Sequence, residues 1–397
     1  MNANYKRTDI GMIPEDWGID KISNLAKITT GSKNTQDKEE TGKYPFFVRS
    51  QKVERINTYS FNGEAILTAG DGVGTGKIFH YIKGKFDYHQ RVYKISDFRE
   101  DIDGYFFYLY FSNYFLKRIQ LLTAKSSVDS VRGETIKDME IPIPPIKEQS
   151  AIAQVLSDTD QLIESLDKLI QKKKKIKQGA MQELLTGRKR LPGFSEEWEE
   201  KSLGELGQFT GGIGFPIQFQ GIISGEIPFF KVSDMNNHAN NVFMYTANNY
   251  LSGNIRELFR TSIIQKNSIV FAKIGAAIFL ERKKILAYDS IIDNNMMGFT
   301  VNSGIADYKF IRNIFLNMKF GDYVSATALP SLNGKELGAI KIKIPKTIKE
   351  QQAIAQVLSD MDLEIEELER KRDKYQEIKK GMMQKLLTGE IRLKCKQ

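Results

Sequence analysis

The stretch GDGVGTGK, starting at Gly70, is where glycine and lysine spacing in this 397-residue chain invites phosphate chemistry. A Walker loop needs glycine five residues before its final Gly-Lys pair and Ser or Thr after the lysine, so that backbone N–H groups cradle phosphates and a hydroxyl holds Mg2+. Asp71 and Ile78 stand at those two places. The matching stretch of the second half, AKIGAAIF from Ala272, lacks the spacing altogether. A turn that lets backbone approach a ligand or groove is the better expectation, and an NTPase using Lys77 is a remote rival. His80, His89 and His238 are scattered, and Cys395 is the single cysteine, so no metal-ligand spacing is present. No proline precedes an aspartate as in PD…(D/E)xK nucleases, and no NPPY-type sequence for base methylation occurs. Glu39-Glu40 and Glu366-Glu367 read as solvated faces. The chain is expected to catalyse nothing and to hold no cofactor or metal itself.

What the chain does carry is a repeat. IKEQSAIAQVLSD begins at Ile146 and IKEQQAIAQVLSD at Ile348; residues 147–187 and 349–389 match at 25 of 41 positions and both end in LLTG. Trp17 and Trp198, the two tryptophans, fall at equivalent places after each block begins. The unit is a variable block of about 150 residues followed by a helical block of about 40, used twice. The expected boundaries are 1–146, 147–188, 189–348 and 349–390, with a tail over 391–397.

The helical blocks place apolar or small residues at Ile152, Val155, Thr159, Leu162, Leu166, Leu169, Ile176 and Ala180, with Lys173 interrupting. The second copy places them at Ile354, Val357, Met361, Ile365, Leu368, Tyr375, Ile378 and Met382, with a charged break near Arg372. Steps of three and four make a coiled-coil seam, and the natural partner of each rod is the other copy. Forty residues give a rod of roughly 60 Å. Gly179 and Gly381, inside the helices at matched positions, suggest close backbone approach or a bend, with tolerated drift as the alternative. The run QKKKKIK at Gln171 is favourable as a solvated face near a helix C-terminus and needs no ligand, with a phosphate or partner contact on the DNA side as the alternative.

The variable blocks are mixed α/β. YPFFVRS, EAILTAG and RVYKI in the first match IPFFKVSD, SIVFAKIG and MMGFTV in the second, and a helical stretch follows in each (GYFFYLYFSNYFLKRIQ and ADYKFIRNIFLNMKF). The expected fold class is α/β (α+β): two similar mixed domains separated by two long helices, an internal repeat with pseudo-two-fold character. The net charge of +9 permits polyanion binding, and no segment is a basic tail. One cysteine, no long apolar run and no signal-like N-terminus point to the cytoplasm.

On the doubled IKEQ-x-AIAQVLSD and LLTG regions, and on PEDW and FSEEW at the start of each variable block, the chain resembles the specificity subunits of type I restriction–modification systems. The resemblance covers essentially its whole length. It implies that each variable block is a target-recognition domain reading one half of an asymmetric bipartite DNA site. It implies that the helices pack antiparallel, set the spacer and dock two methyltransferase (modification) subunits, with restriction/translocase subunits as further partners. Those partners would supply S-adenosylmethionine-dependent methylation and ATP- and Mg-dependent steps. A non-catalytic coiled-coil adaptor binding protein partners is the alternative.

Side chains that match base-edge donors and acceptors mark the candidate DNA contacts. In the first block these are Arg49, Ser50, Gln51 and Lys52; Lys77, His89, Gln90 and Arg91; and Lys125, Ser126, Ser127 and Arg132. In the second they are Lys231, Ser233, Asp234, Asn236 and Asn237; Lys273, Asn294 and Asn295; and Ser331, Asn333 and Lys335. An ordinary exposed loop residue is the competing reading for each.

Overall fold

The computed structural model describes residues 4–123, 130–252, 263–324 and 329–393. It divides into two compact units: Met1–Asp167 with Arg370–Gln397, and Lys168–Glu369. The structural unit is therefore not the sequence repeat. Each unit combines one variable block with the first part of the helix that follows it and the last part of the other helix.

In the first unit, six strands form one sheet in the order Lys27–Thr30, Val92–Ser96, Phe61–Ala69, Phe79–Tyr88, Tyr44–Phe47, Glu54–Ile56. Both faces are covered, which explains why every residue of Ala65–Ala69 is buried, Thr68 included. Ile66 and Ile95 pack beneath Phe107, Phe111 and Phe115 of the helix Gly104–Thr123, while Ala65 and Leu67 meet Phe47 and Phe86 on the opposite side. Asp103 Oδ1 starts that helix by accepting from the backbone N–H of Tyr105 and Phe106. The long strand Phe79–Tyr88 has no counterpart in the expected elements, because Lys83, Gly84 and Lys85 break its alternation.

The second unit repeats this frame with shorter strands. Gly207–Gly211, Met296–Val301, Ile269–Ala272, Lys283–Leu286 and Phe243–Met244 make one sheet in that order, and Asn249–Leu251, Ile227–Phe230 and Ile291–Ile292 a second. Asp307 Oδ1 caps the helix Tyr308–Asn317 through Phe310 N at 2.9 Å. Phe310, Ile311 and Phe315 bury against Phe271 and Phe299 of the sheet.

The long helices run Ile146–Leu184 and Ile348–Leu386, 39 residues each. Their shared KEQ start is structural. Gln149 is fully buried; its Nε2 donates to the carbonyls of Asp101 and Pro144 and its Oε1 accepts from Asp103 N. Gln351 makes the same three bonds to Ile305, Pro345 and Asp307. One residue earlier, Glu148 accepts from Trp17 Nε1 at 3.2 Å and from the Arg392 guanidinium at 2.6 Å. Glu350 accepts from Trp198 at 3.3 Å and from Arg190 at 2.7 and 2.8 Å. Each helix start is thus locked to its own block's tryptophan and to the arginine just beyond the other helix.

Within each unit the helix segments run antiparallel. In the first, Lys379 pairs with Asp160 and Arg372 with Asp167; in the second, Lys177 pairs with Asp362 and Lys174 with Glu369. The seam keeps its heptad spacing, but its phase differs from the expected one beyond Leu166. Leu169 and Ile176 are 37% and 46% exposed, while Ile170 is buried and Lys173 and Lys177 turn towards the partner helix. In the second helix Ile378 is exposed and Lys379 takes its place. Adjacent apolar residues made two phases look alike, and seam lysines that pair across a helix interface look like surface. The lysine run is only partly a solvated face: Lys172 and Lys175 are exposed, while Lys173, Lys174 and Lys177 are paired with Glu364, Glu369 and Asp362. Close backbone approach at Gly179 and Gly381 is also corrected: a Cβ at either would meet nothing within 4 Å.

Candidate nucleic-acid interface

Asp71 is the centre of the polar edge in the first unit. It follows the strand Phe61–Ala69, and the neighbouring Gly70 is laced to two other turns. Gly70 N donates to Arg91 O at 2.9 Å, and Val131 N donates to Gly70 O at 2.8 Å. Asp71 accepts from Arg49 Nη1 at 2.8 Å through one oxygen and from Arg91 Nη1 through the other. Burial pushes this carboxyl up, but the hydrogen bonds from Arg91 and Arg49 outweigh it and hold it below the ordinary aspartate value. Gly72 and Gly76 sit at φ +77° and +69°, which a side chain would strain. Two guanidiniums are thereby aimed from a fixed carboxylate while their side chains stay 41% and 61% exposed. Such a pair suits bidentate contact with a guanine edge or a phosphate.

Three expected clusters are thus brought together: 49–52, 77 with 89–91, and Arg132. Arg132 is exposed and precedes the short helix Gly133–Lys137. Gln51 and Lys77 are exposed as well, Lys52 pairs with Glu54 at 3.4 Å, and Ser50 Oγ donates to Lys52 O at 2.9 Å. Gln90 Nε2 donates to Asn34 Oδ1 at 2.6 Å. His89 is 5% exposed and its Nδ1 accepts from Arg91 N, so it shapes the turn instead of facing outward; burial lowers its pKa. Lys125, Ser126 and Ser127 lie outside the described residues.

The second unit keeps the backbone frame and exchanges the side chains. Lys273 N donates to Asn295 O at 2.7 Å where Gly70 donates to Arg91. Asp293 N donates to Phe230 O at 2.9 Å where His89 donates to Phe47 at 2.9 Å. Isolated bridges Ile274–Ser331 and Asp71–Ser130 correspond in the same way. At the position of Arg91 stands Asn295, whose Nδ2 donates to Asp293 Oδ2 at 3.4 Å. Lys273, Ser331, Asn333 and Lys335 line one cleft with Gln208 and Phe209. Lys231 Nζ lies 3.0 Å from Gln220 Oε1 and 5.1 Å from the centre of the Phe215 ring.

Ser233, Asn236 and Asn294 are exposed; Asn236 Oδ1 accepts from Arg282, and Asn237 Nδ2 donates to Asn248 Oδ1 at 3.3 Å. Asn333 Oδ1 accepts from Lys335 N at 2.9 Å, capping the helix Gly334–Gly338. Asp234 is a correction. It is fully buried and accepts from Lys231 N at 2.7 Å and Asn248 N at 3.3 Å, with burial raising its pKa. Its carboxylate is a turn cap and is removed from the polar edge. Sequence reasoning missed Asp71 as an organiser, weighing it only as a misfit in a phosphate loop, and it missed Gln208, Gln220 and Arg282.

Among the described residues no group of three or more His, Cys, Asp or Glu could hold a metal ion. No helix among them is long and apolar enough to cross a membrane.

Residues 14–178 and 195–380 each match the family model described as the type I restriction modification DNA specificity domain. The type I restriction enzyme MjaVIII specificity subunit of Methanocaldococcus jannaschii is 27% identical over 421 residues, covering 98% of this chain and 96% of that protein. The EcoDI specificity subunit of Escherichia coli is 24% identical, covering 87% and 82%. Among solved structures, the type I restriction-modification S subunit from M. genitalium superposes with a TM-score of 0.63 at 18% identity, covering 97% of this chain and 99% of that one.

Proposed function

We propose, for a chain that belongs to the type I restriction modification DNA specificity family, that its two units read the two halves of one asymmetric bipartite DNA site. The observation that carries this reading is the shared backbone frame with exchanged side chains. Arg49 and Arg91 stand on Asp71 in one unit; Asn295, Lys231 and Lys273 occupy the corresponding edge in the other. Equal frames give equal approaches to a groove, and different donors select different bases.

The chain itself catalyses nothing in this proposal. Two methyltransferase subunits supply adenine methylation with S-adenosylmethionine, and restriction/translocase subunits, where present, use ATP and Mg, all in the cytoplasm. The 39-residue helices join the units through the chain, so their length is the natural determinant of the unspecified gap between half-sites. They also offer the docking surface for methylating partners. The test is to purify the chain with its partners, methylate random-sequence DNA and sequence the modified bases. One gapped motif with two unlike halves is expected; scattered methylation would refute the reading.

A further inference from the structure

In the second unit a pocket opens where the helix Tyr308–Asn317 meets the second long helix; Val242, Ile285 and Leu363 line it together with Arg312, Asn313 and Asp362. Two features there are unresolved by the protein's own contacts. Asn313 is 3% exposed, yet its side-chain Oδ1 has no hydrogen-bond partner. A buried amide oxygen left this way has given up water without gaining a protein donor, so a ligand donor there would be favoured. Arg312 spends its Nε on Lys283 O at 3.0 Å, and among the described residues no carboxylate comes within ion-pairing distance of it. Desolvation dominates its electrostatics and pushes its pKa down, against the pull of the Asp362 charge. Leu363 is 63% exposed at the mouth.

The first unit shows that this is not a requirement of the fold. Gln149 and Gln351 each bind the residue that caps the helix after the sheet, Asp103 and Asp307. Counting from those caps, Tyr105, Tyr108 and Leu109 stand where Lys309, Arg312 and Asn313 stand. The sheet register likewise places Tyr81, opposite Ile66, at the position of Ile285, opposite Ile269. There the space is filled: Tyr81, Tyr105 and Tyr108 pack with ring centres 4.9 to 5.6 Å apart.

We propose that the second unit's pocket binds a monoanionic carboxylate that carries an N–H donor and an aliphatic body, once per chain. The carboxylate neutralises Arg312, the N–H satisfies Asn313 Oδ1, and the aliphatic group covers Val242, Ile285 and Leu363. A monoanion fits better than a phosphate dianion. Asp362 is already tied to Lys177 at 2.5 Å, and Glu366 on the rim offsets one of the two cations Lys309 and Arg312, leaving a single charge to meet. The ligand chemistry is that of an N-acylated amino acid, free or at the carboxyl end of a polypeptide. The site lies away from the polar edge built on Lys273 and Asn295 and does not depend on the DNA reading.

The probe is N-acetyl-L-leucine, titrated into the full chain, with its partner subunits if they are needed for solubility, while Tm is followed. A saturable rise with a half-effect near ~1 mM is expected for a ligand of this size, and none with N-acetyl-L-leucinamide. Arg312→Tyr/Asn313→Leu, which copies the first unit's residues, should abolish the rise at least tenfold in affinity while the unliganded protein still melts cooperatively. Should that variant not fold, the acid-versus-amide contrast on the natural chain still decides. A short peptide ending in leucine that binds at least tenfold more tightly than N-acetyl-L-leucine would assign the site to a polypeptide terminus, and equal affinity to a free metabolite. No rise up to ~20 mM, or equal rises with acid and amide, would overturn the proposal.

Discussion

Lys379 Nζ lies 2.6 Å from Asp160 Oδ1, joining residues 219 positions apart in the sequence. The same bond recurs in the second unit as Lys177 to Asp362 at 2.5 Å, with each lysine supplied by the other helix. A duplication that keeps both partners keeps both pairs, so each unit is closed by a strand of helix borrowed from the other repeat. Lys379→Glu should destabilise the first unit and Asp160→Lys should restore most of the loss. Half-exposed pairs of this kind couple by about 0.5–1 kcal/mol. Urea unfolding of the single and double variants measures the coupling, and simple additivity would contradict it.

Arg392 is the stronger closure because Glu148 beneath it is 4% exposed. Arg392→Ala leaves that carboxylate buried with only the Trp17 N–H, and a loss of about 3 kcal/mol is expected. Arg392 also hydrogen-bonds Asp16 and holds its carboxyl below the ordinary 3.8. A depressed carboxyl contributes stability that is present above its unfolded value and is lost as pH falls through the folded one. The gap between wild type and variant should therefore narrow below about pH 4. Thermal melts across pH 3–7 read both effects, and a gap that widens on acidification would contradict the assignment.

Gly179→Ala and Gly381→Ala should each stabilise the chain by about 1 kcal/mol, since neither glycine has a positive φ and a Cβ at each meets open space. A fall in Tm for either variant would show that the helix needs a bare backbone there.

Asp71→Asn should free Arg49 and Arg91 from their shared anchor. Affinity for unrelated DNA is expected to rise and discrimination at one half-site to fall, with the other half-site unchanged. Fluorescence anisotropy at two salt concentrations against matched and mismatched duplexes measures both. A general loss of binding would instead mean that the edge has collapsed.

The duplicated helices were legible because their constraints are local and periodic. Proline just before Ile146 (Pro145) and three residues before Ile348 (Pro345), the glycine that closes LLTG (Gly187 and Gly389) and a heptad of small or apolar residues bound a 39-residue helix in each copy. The phase was not, because Leu169 and Ile170 are adjacent and equally apolar, and only the partner's acids reveal Lys173 and Lys177 as interface residues. The short strands around YPFF, AILTA and VYKI were visible as β-branched and aromatic runs, whereas Phe79–Tyr88 was hidden by its outward lysines. At the candidate site, residue type placed Arg49, Arg91 and Lys273 on loops. It could not separate an aspartate that caps a turn, such as Asp234, from one that organises arginines, such as Asp71, since that distinction is made by chain segments far apart in sequence.

An exchange of one variable block tests most directly whether each unit reads its own half of the DNA site. Residues 1–146 can be replaced by the corresponding block of a relative and the methylated motif sequenced before and after the exchange. One half of the motif should change while the other half stays the same. Two altered halves, or none, would contradict this.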